Sequence, residues 1–557
     1  MSSNSEARTA MIREESGCLP FHEIPHTSEL FTAFVEGFSR VSSYFPHAPT
    51  ERGILEAART VQIDPAMRPA VVEVLREQNL GFGAGEDVVR NLDRLLRGAV
   101  AIVTGQQVGL FSGPLYGLLK ALSAVRVAEQ ITGRGVDAVP VFWLATEDHD
   151  LAEVDHSFWN ARSRLTRYEL PAHALEGDRR VGEITLGKAI ESIVAEAVPT
   201  LDGPFAAEVA RALGESYTAR DTYGSSFGKL MTRLLAGRGL ILLDPLNSRL
   251  HQLASPVFRR ALHDAGPLEE ALTARSERLE REGFHAQVRI SPASTLLFFN
   301  LDGRRYPVRR REGKFIAGDT EFRLDELHAA IESAPEAITP GVLLRPVVQD
   351  ALLPTAAYLA GPAEVAYMAQ AQVLYERILG RSPAVLPRLS VTLVEPALAR
   401  ILSKYDLDMR DVLEGPQHVR SRMERKAIPD PLAQRFESDE QELRRLLESY
   451  ADPIEKLDRT LRGALENVKE KMLHQFSKLK EKVGRAENFR TGVLDDHERI
   501  LFDSLYPRGE LQERSLCALP LIAAHGPELL DELTRLSSAP ASSDPRSCAY
   551  QHRLLFL

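Results

Sequence analysis

The sequence predicts an α/β fold: a parallel-sheet core interrupted by an inserted α+β module and followed by a charged helical coiled-coil segment. Three observations predict it. Apolar strand-like runs alternate with amphipathic helical patterns between residues 99 and 243, short strands with turn signals follow residue 287, and apolar heptads run from residue 443 to 468.

In chain order, helices are expected over residues 53–80 and 88–98, where Leu92, Leu95 and Leu96 keep a period near 3.6 until Gly98. Ala99-Val100-Ala101-Ile102-Val103 then reads as a strand buried on both faces, ending in Thr104-Gly105-Gln106-Gln107. After a loop over residues 108–113, Pro114 opens a helix at its first position, where no amide partner is needed. Leu115, Leu118, Leu119, Leu122 and Val125 share one face of it until Gly133, and residues 139–145 form a second buried strand. Strand, helix and strand in this order make a βαβ unit, which is right-handed and belongs to a parallel sheet.

A helix over residues 225–236 and a strand over 239–243, ending in Asp244-Pro245, imply another step of the same kind. Residues 287–300, 306–308, 314–316 and 321–323 read as short antiparallel strands around the turn Asp302-Gly303, an inserted α+β module. The α/β texture resumes with Val342-Leu343-Leu344, a helix over 362–379 and an apolar run over 384–394.

Beyond Glu395 the chain turns helical and charged. Leu443, Tyr450, Leu457 and Ala464 lie seven apart, as do Leu447, Ile454, Leu461 and Val468, an a/d seam that then slips to Met472, Phe476, Leu479 and Val483. Asp452-Pro453 inside the seam suggests a fresh helix with Asp as N-cap and Pro at the first position. Residues 456–490 hold ten Lys or Arg against five Asp or Glu, which makes either a solvated face or a surface for a partner or nucleotide.

Composition bounds the function. With 557 residues, 44% of them apolar, core volume is not limiting. A net charge of −10 argues against a protein that coats nucleic acid. Cys18, Cys517 and Cys548 are scattered and form no C-x-x-C pair, so a disulfide scaffold is not expected and a reducing cytosol suits such usage. Residues 1–20 lack the apolar stretch of a signal peptide, and no run long enough to span a bilayer is present.

Ligands of an open parallel sheet bind outside the carboxyl ends of its strands. Three such ends are polar here. The first carries Thr104, Gln106 and Gln107, then the helix start Gly113-Pro114-Leu115-Tyr116, whose free amides suit a carboxylate or phosphate. Its glycines match neither the dinucleotide fingerprint nor a P-loop, and a turn that merely lets helix and sheet approach is the plainer reading. The second end is Thr146-Glu147-Asp148-His149-Asp150, followed by Glu153, Asp155 and His156, so seven of ten positions from 147 to 156 titrate or bind cations. That density points to acid/base work or to holding an amine. A helix N-cap, with Thr146 or Asp148 capping, is the lesser alternative, and the spacing of His149 and His156 does not match a zinc motif. The third end gathers Arg345, Gln349 and Asp350, then Gly361-Pro362 with Glu364 and Tyr367; Arg345 and Arg388 are candidate clamps for a carboxylate or phosphate, or else surface ion pairs. No nucleophile elbow and no Cys with a nearby base in sequence is present, which disfavours covalent catalysis.

These residues carry a resemblance. Val103-Thr104-Gly105-Gln106-Gln107-Val108-Gly109-Leu110 with Gly113-Pro114-Leu115-Tyr116, and residues 139–150 with the Glu-Asp-His-Asp block, resemble the bacillithiol biosynthesis cysteine-adding enzyme family, BshC. Arg345-Pro346, Gln349-Asp350, Leu353-Pro354-Thr355, Gly361-Pro362 and Leu511-Gln512-Glu513-Arg514 extend the match, in order, along nearly the whole chain. The resemblance implies a Rossmann-like, class I synthetase-like core with connecting-peptide insertions, a coiled coil that supports a homodimer, and a cytoplasmic enzyme. It implies a ligase-type reaction that joins L-cysteine to the glucosamine amine of glucosaminyl-malate to form bacillithiol, with ATP or another activating nucleotide and no metal. Neither H-I-G-H at the Gly113-Pro114 helix start nor K-M-S-K-S is present.

The expected division is core 1–165, first insertion 166–215, core 216–262, second insertion 263–335, core 336–395 and coiled coil with tail 396–557. Glu147, Asp148, His149 and Asp150 are the expected catalytic group, holding the cysteine ammonium or deprotonating the attacking amine, with the identity of the base left open. Thr104, Gln106, Gly113, Tyr116, Asp244, Arg345, Gln349, Asp350 and Arg388 are the expected substrate-binding residues, the nucleotide site is unassigned, and neither a membrane nor nucleic acid is an expected partner. The reading from another class is a non-catalytic synthetase-like adaptor acting through its coiled coil; salt-dependent RNA binding separates the two.

Overall fold

The computed structural model describes residues 17–171, 179–426, 428, 430–541, 544 and 547–557. Residues 1–16 of the first expected domain, 172–178 of the first insertion and the side chains of Arg485, Glu487 and Arg490 in the basic segment lie outside the described residues. The chain divides into two compact units, one comprising Gly17–Thr392 with Glu513–Leu554, the other Leu393–Gln512 with Leu555–Leu557.

The first unit is built on β1 (Val100–Gln106), α1 (Leu115–Thr132), β2 (Ala138–Leu144), β3 (Ile241–Leu243), β4 (Thr355–Ala360), α2 (Pro362–Leu374) and β5 (Ala384–Pro387). The five strands are all parallel, in the order β5-β4-β1-β2-β3. Their side chains are almost wholly apolar because helices cover both faces, and Ile102, Val141, Phe142 and Leu359 have at most 1% of their surface exposed. The chain runs outward from β1 through β2 to β3, then returns to the other side of β1. That reversal lies between β1 and β4, and their carboxyl ends open a crevice there.

Several expected boundaries move. The predicted helix over 53–80 is two helices, Glu51–Thr60 and Met67–Phe82, separated where Asp64-Pro65 cannot continue the first. Pro114 is the N-cap of α1 rather than its first residue. Val342-Leu343-Leu344 is a turn leading into the helix Arg345–Leu352, and the core strand is β4, hidden in sequence because Thr355-Ala356-Ala357 is weakly apolar. No long helix follows Thr146: Leu151–Glu153 is a single turn, and the hairpin of His156–Ala161 and Arg164–Glu169 comes next.

The inserted module is a five-stranded antiparallel sheet of Ser294–Leu301, Arg304–Arg311, Lys314–Ala317, Thr320–Phe322 and Ile338–Pro340, with the last strand paired to the first. Cys18 and Cys548 form a disulfide, 530 residues apart in sequence, beside the antiparallel pairing of Gly17–Leu19 with residues 552–554. The expectation that the scattered cysteines form no disulfide and fit a reducing compartment fails for these two, since spacing along a chain says nothing about two ends that meet in one sheet.

In the second unit, α3 (Asp430–Glu448), α4 (Ala451–Leu457) and α5 (Leu461–Thr491) form a helical hairpin. Phe436 packs on Phe476 and Lys469 bonds Glu448, contacts that require α5 to run back along α3. The a/d seam is therefore not one continuous stripe. It breaks at Asp458–Thr460, Tyr450 rather than Asp452 caps α4, and Leu457, Leu461, Val468, Met472 and Leu479 are exposed. Gly484 lets α5 approach the helix Pro416–Lys426, because a Cβ there would lie 1.9 Å from Glu424 O. Among the described residues, no helix is long and apolar enough to cross a membrane.

Candidate active site

A cavity of about 560 Å³ opens at the carboxyl ends of β1, β2 and β4. Buried strands deliver their first polar residues at these ends, so Gln106 and Gln107 follow β1, Glu147 to His149 follow β2, and Gly361-Pro362 follow β4.

One end of the cavity is basic. Lys120, on the inner face of α1, sends Nζ to Gly105 O and Gln106 Oε1, both at 2.8 Å, and lies 2.5 Å from Glu364 Oε2. Glu364 also accepts from the Tyr358 hydroxyl (2.7 Å) and the Gly361 amide (2.6 Å). Burial raises the Glu364 carboxyl, but the Lys120 charge and these donors hold it below the usual carboxylate range. Arg345 donates to the Tyr367 hydroxyl (2.8 Å) and to Gln349 Oε1 (3.2 Å). Arg388 is buried, its Nη2 paired with Glu513 (2.7 Å) and its Nε without a partner, against the N-terminus of α2. Arg514 lines the same end, and the Tyr116 hydroxyl, pushed up to about 12 by burial, accepts from Gln106 Nε2 (2.9 Å). Four cations meet two carboxylates here, which leaves two positive charges in excess and suits a dianion.

The other end is acidic. Asp148 accepts from Gln107 and from the His149 amide (2.8 Å), and its carboxyl stays far below the ordinary range although burial alone would raise it. Glu153 moves the other way, pushed up by burial and then by Asp150 and Asp148. Glu147 is buried 2.9 Å from His251 Nε2, and the His251 Nδ1 faces Ile338 O (3.0 Å). From the inserted sheet, Arg305 lies with its guanidinium 3.9 Å from the centre of the Phe298 ring and reaches His149.

Of the residues predicted from sequence, the structure brings Gln106, Tyr116, Glu147, Asp148, His149, Arg345 and Arg388 to this cavity. Six do not line it. Thr104 is buried against Leu359 O (2.9 Å), Gly113 sits in the turn before α1, and Asp150 precedes the Leu151–Glu153 turn. Asp244 accepts from Thr146 (2.5 Å) behind the loop, Gln349 is buried under Arg345, and Asp350 is buried under Tyr375 (2.8 Å). Sequence reading did not assign Lys120, Arg305 or Phe298 to a site. A lone Lys four residues after Tyr116 on an apolar helix was the available signal for the first; Arg305 is brought in by antiparallel pairing that no local pattern encodes.

Comparison with known families places these features in context. Residues 17–389 match the model described as "Bacillithiol biosynthesis BshC, N-terminal Rossmann-like domain", and residues 391–542 match "Bacillithiol biosynthesis BshC, C-terminal coiled-coil domain". A relative from Koribacter versatilis, named "Putative cysteine ligase BshC", is 39% identical over 93% of this chain and 96% of its own length. One of the same name from Solibacter usitatus is 34% identical over 92% and 95%. A solved arginyl-tRNA synthetase-like chain from Campylobacter jejuni covers 86% of this chain and 98% of its own at 12% identity and a TM-score of 0.21, too slight a likeness to bear on fold or function.

Proposed function

The chain belongs to the bacillithiol biosynthesis BshC family, and on that premise we propose that it is a ligase-type enzyme that joins the carboxyl of L-cysteine to the glucosamine amine of glucosaminyl-malate, forming bacillithiol in the last step of its synthesis. The observation that carries this reading is the uneven charge within one cavity: Glu147, Asp148 and Glu153 with Arg305 at one end, Lys120, Arg345, Arg388 and Arg514 with Glu364 at the other. Such a site takes a molecule, or a pair of molecules, with an ammonium and a dianion some distance apart.

In this reading Asp148, ionised at every working pH, holds the cysteine ammonium. Glu153 is the better base for the attacking amine, because a raised carboxyl both accepts a proton more readily and releases it again. Malate, with two carboxylates, matches the excess of two positive charges. A free carboxylate must be activated before it yields an amide, and ATP or another nucleotide supplies that chemistry when bound. The orphaned Arg388 Nε and the amides at the start of α2 fit a phosphoryl group as well as a carboxylate, so this chain has donors for either.

We further infer a homodimer through the helical arm, supported by the exposed Leu457, Leu461 and Val468. A cytoplasmic location is inferred from the biosynthetic family alone, with the Cys18–Cys548 disulfide then an exception to the scarcity of such bonds in that compartment. The deciding experiment mixes purified protein with cysteine, glucosaminyl-malate and single nucleotides and follows the thiol product by mass spectrometry. Product with at least one nucleotide supports the reading. No product with any of them, together with salt-dependent RNA binding, would favour an adaptor instead.

A further inference from the structure

Glu513 lies 125 residues from Arg388 in sequence and holds it in the cavity wall. Arg388 follows β5 directly, and its amide donates to Ala360 O (3.0 Å), which sets it beside Gly361 at the end of β4. Its guanidinium lies 5.5 Å from the centre of the Tyr116 ring. Nη1 donates to Leu389 O (2.6 Å) and Nη2 to Glu513 Oε1 (2.7 Å), while Nε has no partner. Gly361 puts no side chain beside that nitrogen, where a Cβ would stand 3.8 Å away.

Glu513 is 1% exposed and fully engaged. Its Oε1 also accepts from Ser390 Oγ (2.9 Å), and its Oε2 accepts from the Val391 amide (2.8 Å). Burial raises the carboxyl, but Arg388 and these donors hold it below the usual carboxylate range. Ser390 is held in turn by His552 (2.8 Å), so the carboxylate is anchored on the side away from Arg388. A long side chain ending in a guanidinium has many rotamers unless its terminal nitrogens are tied. Here both are tied to acceptors that do not line the cavity, which leaves the unpaired Nε edge toward the start of α2. A buried donor without a partner is costly until a ligand supplies the acceptor.

We propose that Glu513 is a positioning residue: it touches no substrate and holds Arg388 in the orientation that binds the substrate's dianion at the start of α2. This rests on the ligase reading and sharpens it. Neighbouring residues then serve one end of the cavity, Arg514 from its wall and Glu513 from behind it.

Calorimetric titration of the full-length protein with L-malate, the dianionic part of the substrate, tests the role without turnover. If net charge alone counted, Glu513→Gln would tighten binding of an anion, because it removes a carboxylate. Lost orientation has the opposite sign: Glu513→Gln is expected to weaken L-malate about tenfold, and Glu513→Asp, which keeps the charge, by less. The double variant with Arg388→Gln should bind no worse than Arg388→Gln alone, because Glu513 acts only through Arg388. Losses that multiply, or a folded Glu513→Gln with unchanged or tighter binding, would overturn the proposal. In the ligase assay Glu513→Gln should raise KM for glucosaminyl-malate about tenfold, with kcat within about threefold and KM for cysteine unchanged. Equal losses in all three constants would mark a merely structural role. A crystal structure of the wild type with L-malate needs no variant to fold, and should show a malate carboxylate on the Arg388 guanidinium with the Glu513 bond kept. Malate seated elsewhere, a site left empty at saturating malate, or Arg388 swung away from Glu513 would each refute it. A protein that binds malate in this way but forms no amide with any nucleotide defeats the ligase reading and leaves the role of Glu513 standing.

Discussion

Lys120 Nζ lies 2.5 Å from Glu364 Oε2, and the pair ties α1 to α2 across the point where the chain reverses in the sheet. Lys120 is 3% exposed, and its three protons go to Glu364, Gly105 O and Gln106 Oε1. Burial lowers the ammonium and Glu364 opposes that, whereas Glu364 itself ends below its usual range; we take the paired, ionised state as the working one because every donor has an acceptor.

Replacing Lys120 by Met leaves a buried carboxylate without its cation and should cost about 3–5 kcal/mol, read by urea unfolding. The double change Lys120→Met, Glu364→Gln should recover part of that loss, because both charges leave together while the Gln carbonyl can still accept from Tyr358 or Gly361. The Glu364 carboxyl is depressed in the fold, so its contribution is present above the unfolded value near about 4.3 and is lost as pH falls through the folded one. Glu364→Gln should therefore flatten the acid limb of the stability curve.

His552 makes a second and separable pH prediction. Ser390 donates a hydrogen bond to Glu513 (2.9 Å), so its oxygen accepts from His552 Nδ1 (2.8 Å) and Thr392 donates to Nε2 (2.9 Å). The ring is satisfied only when neutral, and burial lowers it to about 4 from an ordinary value of 6.5. Neutral His552 is thus compatible with the fold above pH 6.5, and stability falls as pH drops from there toward 4, by about 3 kcal/mol in all. His552→Gln should lose that slope; a slope that survives the substitution belongs to another group.

Much of this architecture was legible because buried parallel strands are apolar from end to end. Val100 to Val103 and Val139 to Leu144 announce themselves, and the polar residues that terminate them mark one wall of the cavity. β4 escaped because alanines pack as well as valines between two sheet neighbours and two helix layers, yet carry little pattern. The site was half legible for a related reason. Residues at strand ends are found by reading along the chain, whereas Arg305 and Phe298 arrive from a different sheet, and Asp350 and Asp244 are taken up by internal hydrogen bonds to Tyr375 and Thr146. The arm misled differently: a heptad count cannot register the turn at Asp458–Thr460 that folds the helix back on itself.

The disulfide offers a direct check. Joining Cys18 to Cys548 closes almost the whole chain, and reduction or Cys548→Ser should lower stability by about 2–4 kcal/mol. Peptide mapping without reductant should recover the linked pair, and Cys517, buried with its thiol pushed up to about 11, should stay unreactive until the protein unfolds. Alkylation of Cys18 and Cys548 in freshly purified, unreduced protein would contradict the pairing.

Opposite ends of the cavity should fail independently. Asp148→Asn removes the ionised carboxylate at one end and should raise KM for cysteine about tenfold or more, leaving KM for glucosaminyl-malate near wild type. Arg514 is exposed, so Arg514→Gln should fold normally and raise KM for glucosaminyl-malate by a similar factor with cysteine unaffected. Because Asp148 stays ionised through the acid range, KM for cysteine should not rise between pH 8 and 5 on its account. Parallel rises in both constants for either variant would mean that the two ends do not divide the substrates.

The arm concentrates large apolar side chains in solvent. Leu457 is 81% exposed, Leu479 50% and Val468 48%, although the partner helix of the hairpin is already in place. Such a surface on a helix pair is costly unless a second surface covers it, and the inward residues Phe436, Leu447 and Leu465 show that the hairpin's own core is filled without it. A second copy of this chain supplies the same surface by symmetry, as an isologous contact requires. Sedimentation equilibrium should therefore give a dimer for the wild type, and Leu461→Asp with Val468→Asp should shift it toward monomer without unfolding the hairpin. The nucleotide role of the basic segment is tested on the same arm: Lys469 is already paired with Glu448 and Glu466, so neutralising Lys469, Lys471 and Lys478 should leave ATP and ADP affinity unchanged if the segment is a solvated face. A loss of affinity in that triple variant would move the nucleotide site to the arm.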